Sequence, residues 1–490
     1  FGITLAFRWT GAALAETERV ALVLGIGAYE TIEPLDNTRN DARSIADTLE
    51  NIGFDVTLSL DATGAELRQL MDDFAFRSET ADLALIYFAG HGVEVQGENF
   101  LIPVDANITS NRDVQRQSIS LKQMLASVER ARKMRIVILD SCRDNPLGDV
   151  IDFARPIEAG AQSSPAVGGG LAAANPDRGT LVAFAAKDGQ VALDGSGENS
   201  PYASALIEKM VRPGLEISLM FRQVRDKVLQ DTNNLQEPHT YGSLTGVPFY
   251  LAGAADGQQE LAGSARQAAW ASIRPDQEEQ LLALADLGDT RSMLGLAYMR
   301  LNPNEGRFDP VQAVAFLEKA AAAGSSEAQF ELAKIYERGT GVPVDETRAL
   351  ELYQSAAEQD FPDAINDLGF LHYQGGLGLK ADPQKALTFF ERAADLRHPQ
   401  ALFNFAALID DGLIPAKGPA DSAEYLYAAL RSGSRDVLDL LSTRPKMFSP
   451  QTRRALQATL KKWEFYSGAI DGEFGPNTIK SIRKAYGLKE

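Results

Sequence analysis

An α/β domain with a mostly parallel sheet, followed by an all-α repeat array, is the fold class this 490-residue sequence predicts. Three observations carry it. Over residues 19–250, short and nearly continuous apolar runs alternate with amphipathic stretches, the pattern of strands buried on both faces and joined by helices. In the second half the same residue types recur at intervals of 36–38 positions, the mark of stacked helical hairpins. The chain is also too long for one hydrophobic core and should divide into roughly three domains.

The strands come first. Val20–Ile26, Phe54–Leu60, Leu83–Phe88, Ile136–Leu139 and Leu181–Ala185 are the apolar runs. Between and after them, helical spacing marks Asp41–Asn51, Ala65–Arg77, Leu121–Arg132, Pro201–Met210 and Ile217–Thr232. One stretch, residues 152–178, breaks the rhythm: it is rich in Gly, Ala, Ser and Pro, and a loop of that length inside a domain is usually functional. Residues 252–266 have the composition of a linker. Beyond them Leu294, Leu332, Leu368 and Phe405 occupy one slot of successive units, and Ala313, Ala349, Ala386 and Ala423 a second. Tyr298, Tyr336, Tyr353 and Phe389 are then expected in the repeat core.

Composition excludes several classes. A net charge of -19 argues against a general nucleic-acid binder, because phosphate binding needs a basic surface. The sign is uneven, with nine Lys/Arg against four Asp/Glu in residues 446–490, which suggests a separate partner for the tail. No apolar run approaches the ~18 residues of a membrane-spanning helix. Residues 1–15 are mostly apolar and end in Ala13-Leu14-Ala15, like the remnant of a signal peptide, so export to the periplasm or cell envelope is expected, with the cytoplasm as the alternative. There is no CxxC, no paired His and no calcium loop of Asp-rich spacing, and Gly25-x-Gly27 lacks the rest of a nucleotide fingerprint. No cofactor and no metal site are expected; Asp144 and Asp149 alone do not indicate calcium activation.

Cys142 is the single cysteine, so it is either a buried structural residue or a nucleophile. The outcome depends on whether a His meets it. His91 lies in Ala89-Gly90-His91-Gly92 and Cys142 in Asp140-Ser141-Cys142, each expected just past the C-terminal end of a buried strand. That is the edge where open α/β sheets place their ligands. Glycines beside His91 would allow close backbone approach to a substrate. The other three histidines compete poorly: His372 falls inside a repeat helix, His398 at a repeat boundary beside Pro399, and His239 without a strand-end context.

With those motifs, residues 16–251 resemble the caspase and metacaspase superfamily, in which His-Gly follows one strand and Asp-x-Cys another. The 51-residue separation agrees with a caspase His about 50 residues before the Cys. Asn40-Asp41-Ala42 and Ser243-Leu244-Thr245-Gly246 match further, while the local caspase signature Q-A-C-[RQG]-G is absent. The resemblance implies Cys142 as nucleophile, His91 as its proton partner, and the N–H groups of Gly92 and Cys142 as the oxyanion hole. It also implies that Asp41 and Asp140 line the pocket for the residue before the cut. Two carboxylates there favour Arg or Lys and disfavour Asp; on the residues alone, Asp140 could equally cap a turn and Asp41 a helix. Relatives are often cut between the two halves of the domain, which places self-cleavage at Arg155 or Arg178.

Residues 252–285 are a linker and leading helix, and residues 286–443 resemble the Sel-one-like repeats, which implies protein partners. Residues 446–490 resemble a small three-helix peptidoglycan-binding domain through Leu456, Leu460, Tyr466, Ile470-Asp471-Gly472, Phe474-Gly475-Pro476, Thr478 and Ile482. The combined expectation is an exported cysteine endopeptidase cutting protein or peptide substrates after Arg or Lys and held near peptidoglycan. The alternative is a catalytically silent scaffold working through its repeats.

Overall fold

The computed structural model describes residues 18–142, 179–187, 192–195, 197–242, 244, 248–253, 270, 273, 275–303 and 306–488. The leader-like stretch 1–15, Asp144, Asp149, the loop 152–178 with Arg155 and Arg178, and most of Ser243-Leu244-Thr245-Gly246 lie outside the described residues.

The first unit runs β1 (Arg19–Gly25), α1 (Thr38–Asn51), β2 (Asp55–Leu60), α2 (Gly64–Ser78), β3 (Leu83–Val95), β4 (Glu98–Leu101), α3 (Asn111–Gln117), β5 (Ile119–Ser120), α4 (Leu121–Val128), β6 (Met134–Cys142), β7 (Thr180–Phe184), α5 (Pro201–Met210), α6 (Ile217–Asp231) and β8 (His239–Gly242). The sheet order is β2-β1-β3-β6-β7-β8; β1, β2, β3, β6 and β7 are parallel and β8 is an antiparallel edge. The apolar runs are continuous because both faces are covered. Leu22, Leu24, Ile86, Phe88 and Leu139 pack with α2 and α4, while Val23, Leu85, Tyr87, Ile138 and Ala183 pack with α1, α5 and α6. Alternate residues of one strand therefore feed two separate cores.

Four expectations need correction. His91 sits inside β3 and not past its end, because the strand continues to Val95 and turns back into β4 through Gln96-Gly97, both at positive φ. Cys142 is the last residue of β6. His239 is on a strand after all: it opens β8 and pairs with Phe184. The helix expected over Leu121–Arg132 ends at Val128.

From Pro275 the chain is helical. Pro275–Asp286 leads, and antiparallel pairs follow from Thr290–Leu301 to Pro419–Arg431. Helix starts are written in the sequence: Asp309-Pro310 and Asp382-Pro383 set an Asp cap before a Pro that needs no N–H partner. Both repeat slots are core, with Leu294, Leu332, Leu368 and Phe405 at most 3% exposed and the four alanines fully buried. His372 stacks on Phe389, and His398 caps Pro399–Asp410 through its Nδ1.

The array touches the α/β unit at both ends. At its start Arg291 pairs with Glu216 (2.7 Å), and Gln277 donates to the carbonyl of Gly214 (3.0 Å). At its finish Arg431 pairs with Glu79 at the end of α2 (2.9 Å) and donates to the carbonyls of Phe76 and Ala485. The last module has helices Pro450–Lys462 and Pro476–Tyr486 after the 3₁₀ turn Pro445–Met447, and its Trp463 and Phe465 rings stack near Phe76. Gln457, fully buried, accepts from the Gly472 N–H (2.7 Å) and donates to Asp471 and to the carbonyl of Glu473. The Asp471-Gly472 turn is thus an internal fastening, with Gly472 at φ 80°.

Candidate active site

Register brings the two motifs together. In the parallel β3–β6 ladder Ala89 faces Asp140, Gly90 faces Ser141 and His91 faces Cys142. Neighbouring strands lie about 4.8 Å apart, so the backbones of His91 and Cys142 are adjacent although 51 residues separate them.

The imidazole is buried, 5% exposed, and its environment fixes its form. Nε2 meets the carbonyl of Glu33 at 2.8 Å, so Nε2 carries the hydrogen and donates it. Nδ1 is then an unprotonated acceptor. It is buried and has no hydrogen-bond partner among the described residues. Burial pushes the His91 pKa below its usual value, partly offset by the Glu33 carbonyl, which keeps the ring neutral. Tyr29 supports the strand from outside: its hydroxyl accepts the His91 N–H (2.7 Å), and the two rings lie 4.7 Å apart. This explains Gly90. A Cβ there would meet the Tyr29 hydroxyl at 2.7 Å and the Phe88 ring at 2.8 Å, so Gly90 lets Tyr29 and Phe88 pack closely against the strand.

Gly92 is disposed by ladder geometry. The Ile102 N–H donates to the His91 carbonyl (3.0 Å), which makes Gly92 and Leu101 a non-hydrogen-bonded pair of the β3–β4 hairpin. Backbone polar groups alternate along a strand, and Ala89, like His91, turns its carbonyl toward β1, where it accepts from Ile26. Gly92 therefore turns its N–H to the opposite side of β3, the side on which β6 ends at Cys142.

The two aspartates meet below this edge. Asp41, in the first turn of α1, is 2% exposed and Asp140, on β6, 8%. Asp41 caps nothing: the cap position of α1 is Asn37, and the Asp41 side chain accepts from Asn199 Nδ2 and the Ser200 N–H, both at 2.9 Å. Asp140 accepts from the Tyr87 hydroxyl (2.8 Å) and from Ser200 Oγ (2.9 Å). Among the described residues no Lys or Arg pairs with either carboxylate. Burial and then mutual repulsion push Asp140 up to about 7, and burial, the larger cause, raises Asp41 to about 6.

Sequence reasoning missed Glu33, Tyr29, Tyr87 and Ser200. Two signals were present. Ser200-Pro201 is a capping pair at the head of a helix, and a Tyr in the middle of a buried strand must find a partner for its hydroxyl. Glu33 acts through its carbonyl, which no residue type announces. A cavity of about 1650 Å³ between β8, α6 and the repeat turns near Gly324, Asp360 and Leu396 includes none of His91, Asp41 and Asp140.

A parallel sheet wrapped by helices, with a His and a Cys in register at its edge, is the arrangement of a caspase-like domain. Residues 18–249 match the caspase domain model of the peptidase C14 family, and residues 290–325, 326–361 and 362–398 each match the Sel1 repeat. The chain thus carries a caspase-like domain followed by Sel1 repeats. It is 29% identical over 127 residues to the Homo sapiens mucosa-associated lymphoid tissue lymphoma translocation protein 1, and 30% over 135 residues to its Mus musculus homolog. These alignments cover 26% and 27% of the chain, which spans only 15% and 16% of those proteins. Among solved structures, a Sel1 repeat protein from Oxalobacter formigenes matches with 20% identity and TM-score 0.31 over 43% of this chain and 98% of that one. Caspase-1 from Spodoptera frugiperda matches with 16% identity and TM-score 0.35, over 48% and 92%. The domain supports a cysteine-protease-like function, and among the described residues no helix is long and apolar enough to cross a membrane.

Proposed function

We propose that the chain is a cysteine endopeptidase in which Cys142 and His91 form the catalytic pair and the residue before the cut is Arg or Lys. One observation supports it most: a buried imidazole whose Nδ1 lacks a partner among the described residues, in a strand register that faces the only cysteine. In the reaction, Nδ1 takes the thiol proton as sulfur attacks the peptide carbonyl. The oxygen, now anionic, accepts hydrogen bonds from the N–H groups of Gly92 and Cys142. The imidazolium then protonates the leaving amine as the C–N bond breaks, and water, deprotonated by the regenerated base, hydrolyses the thioester. The basic preference is supported by two buried carboxylates that have neutral donors but no cation among the described residues.

The test is turnover of short peptides that differ only at the residue before the cut. Arginyl and lysyl peptides should be cut and aspartyl peptides should not. Cys142→Ala should abolish turnover, and His91→Ala should lower kcat/KM by roughly 10²–10⁴. Cleavage by Cys142→Ala at the wild-type rate would overturn the assignment. Export to the envelope, peptidoglycan attachment through residues 446–490 and self-cleavage at Arg155 or Arg178 belong to the same proposal. A partner-binding scaffold is the second reading, supported by the Sel1 repeats and by the cavity they share with β8 and α6.

A further inference from the structure

Ser200 belongs to neither catalytic motif, yet it touches both carboxylates. It is the cap of α5: its Oγ accepts the Ala203 N–H (3.0 Å), and Pro201 follows at the first helical position. The same hydroxyl donates to Asp140 Oδ2 (2.9 Å), while the Ser200 N–H donates to Asp41 Oδ1 (2.9 Å). One residue thus joins two acids carried by different elements, α1 and β6. Among the described residues each acid is held at one oxygen only. Asn199 adds a second donor to Asp41 Oδ1 and Tyr87 a second to Asp140 Oδ2, whereas Asp41 Oδ2 and Asp140 Oδ1 accept nothing from the described residues.

We propose that Ser200 is a specificity-determining positioning residue, which fixes one oxygen of each carboxylate and so leaves the other two for the cation of the residue before the cut. The inference rests on the pocket reading given above. Among the described residues every donor that reaches the pair is neutral, and the positive end of the α5 dipole adds to them. Together they hold two acids near each other without supplying a counter-charge, and a guanidinium or ammonium supplies it. Tyr87 and Asp194 are further titratable groups that act on the pair, and Tyr202 interacts with Asp140. Both tyrosines are pushed well above their ordinary values by burial and stay neutral, and burial raises Asp194 as well. Asp41 at about 6 and Asp140 at about 7 mean that the empty pair retains a proton near neutrality, which the substrate cation displaces.

The experiment compares matched peptides with Arg or citrulline, its uncharged analogue, before the cut, using the full chain and its Ser200→Ala, Ser200→Gly and Ser200→Thr variants. In Ser200→Ala, KM for the arginyl peptide should rise roughly ten- to hundredfold, the equivalent of one hydrogen bond to a charged group. kcat should change little, and the citrulline peptide should be unaffected. Loss of a donor raises the carboxylate pKa, so the pH at which kcat/KM reaches half its plateau should move upward. Ser200→Gly preserves the cap to within a few tenths of a kcal/mol; it should behave like Ser200→Ala, and Ser200→Thr should restore both readouts. If Ser200→Ala does not fold, Ser200→Gly and Tyr87→Phe carry the test, with the same direction expected. A wild type that prefers Arg, beside glycine and phenylalanine variants with unchanged KM and pH profile, overturns the role of Ser200 alone. A wild type that does not prefer Arg over citrulline overturns the pocket reading and this inference with it.

Discussion

Replacing Glu79 by Gln should release the last helix of the chain from the α/β unit. Arg431 is 3% exposed and Glu79 7%, and their ion pair joins the end of α2 to the helix Pro419–Arg431. Around it, Arg431 lies over the Phe76 ring at 4.8 Å, and Arg132 donates to the carbonyls of Arg431 and Tyr486. Gln keeps the size of Glu and removes its charge, leaving a buried guanidinium without a carboxylate. Breaking one side of such a pair costs roughly 3–5 kcal/mol. Arg431 keeps two carbonyl acceptors, which places the expected cost near the lower end, about 3 kcal/mol. Native-state hydrogen exchange reads it directly: amides of Pro476–Tyr486 should exchange roughly a hundredfold faster. Arg130→Ala is the control, because Arg130 pairs with the same Glu79 from a half-exposed position and should cost under about 1 kcal/mol. Equal protection in Glu79→Gln and wild type, or equal effects of the two substitutions, would refute the reasoning.

For arginyl peptides, kcat/KM should rise between about pH 5.5 and 7.5 as Asp41 and then Asp140 become charged, since their raised values of about 6 and 7 leave them protonated at the acid end. Asp140→Asn should flatten that limb in a pH–rate profile; an unchanged limb would assign it elsewhere. Incubated wild type should acquire new termini after Arg155 or Arg178 that are missing from Cys142→Ala, as read by mass spectrometry, and an active wild type that stays uncut would end that proposal. The full chain should co-sediment with purified peptidoglycan, equally at low and high salt; protein left in the supernatant at both would leave residues 446–490 with a docking role only.

What the sequence disclosed, and what it withheld, follows from how far each signal travels. A buried strand needs apolar residues on both faces, so β1, β3, β6 and β7 are visible from local pattern alone. Repetition made the helical array visible in the same way, because one slot is filled four times. The register of His91 with Cys142 depends on β3 and β6 being neighbours, and the motifs at their ends suggested that before any contact was known. Strand ends were harder. β3 runs on past its continuous apolar run because residues 92–95 pair with β4 in a hairpin that sends only alternate side chains, Val93 and Val95, into the core. Hardest were the partners supplied from a distance: Ser200 lies 60 residues from Asp140, and Glu33 contributes only a carbonyl. Neither position carries a residue whose type reports the role.

The basic tail illustrates how a charge pattern acquires a meaning only from position. As composition, the excess of Lys and Arg after residue 446 suggested an external partner. In place, Lys461 and Lys462 occupy the last turn of one helix and Arg483 and Lys484 the last turn of the next. Cations there offset the helix dipole, each by about 0.3–1 kcal/mol. Arg453 is buried and reaches toward Glu473. Five of the nine cations therefore have work within the module, and the helix that ends at Tyr486 is held from outside by Arg132 and Arg431. Net charge then loses its force as an argument for a polyanionic partner. What the module still offers outward is half-exposed Trp463 and Ile470, which suit the apolar face of a sugar better than its charge. Glycan binding of that kind is insensitive to salt, because screening acts on charges and leaves stacking untouched.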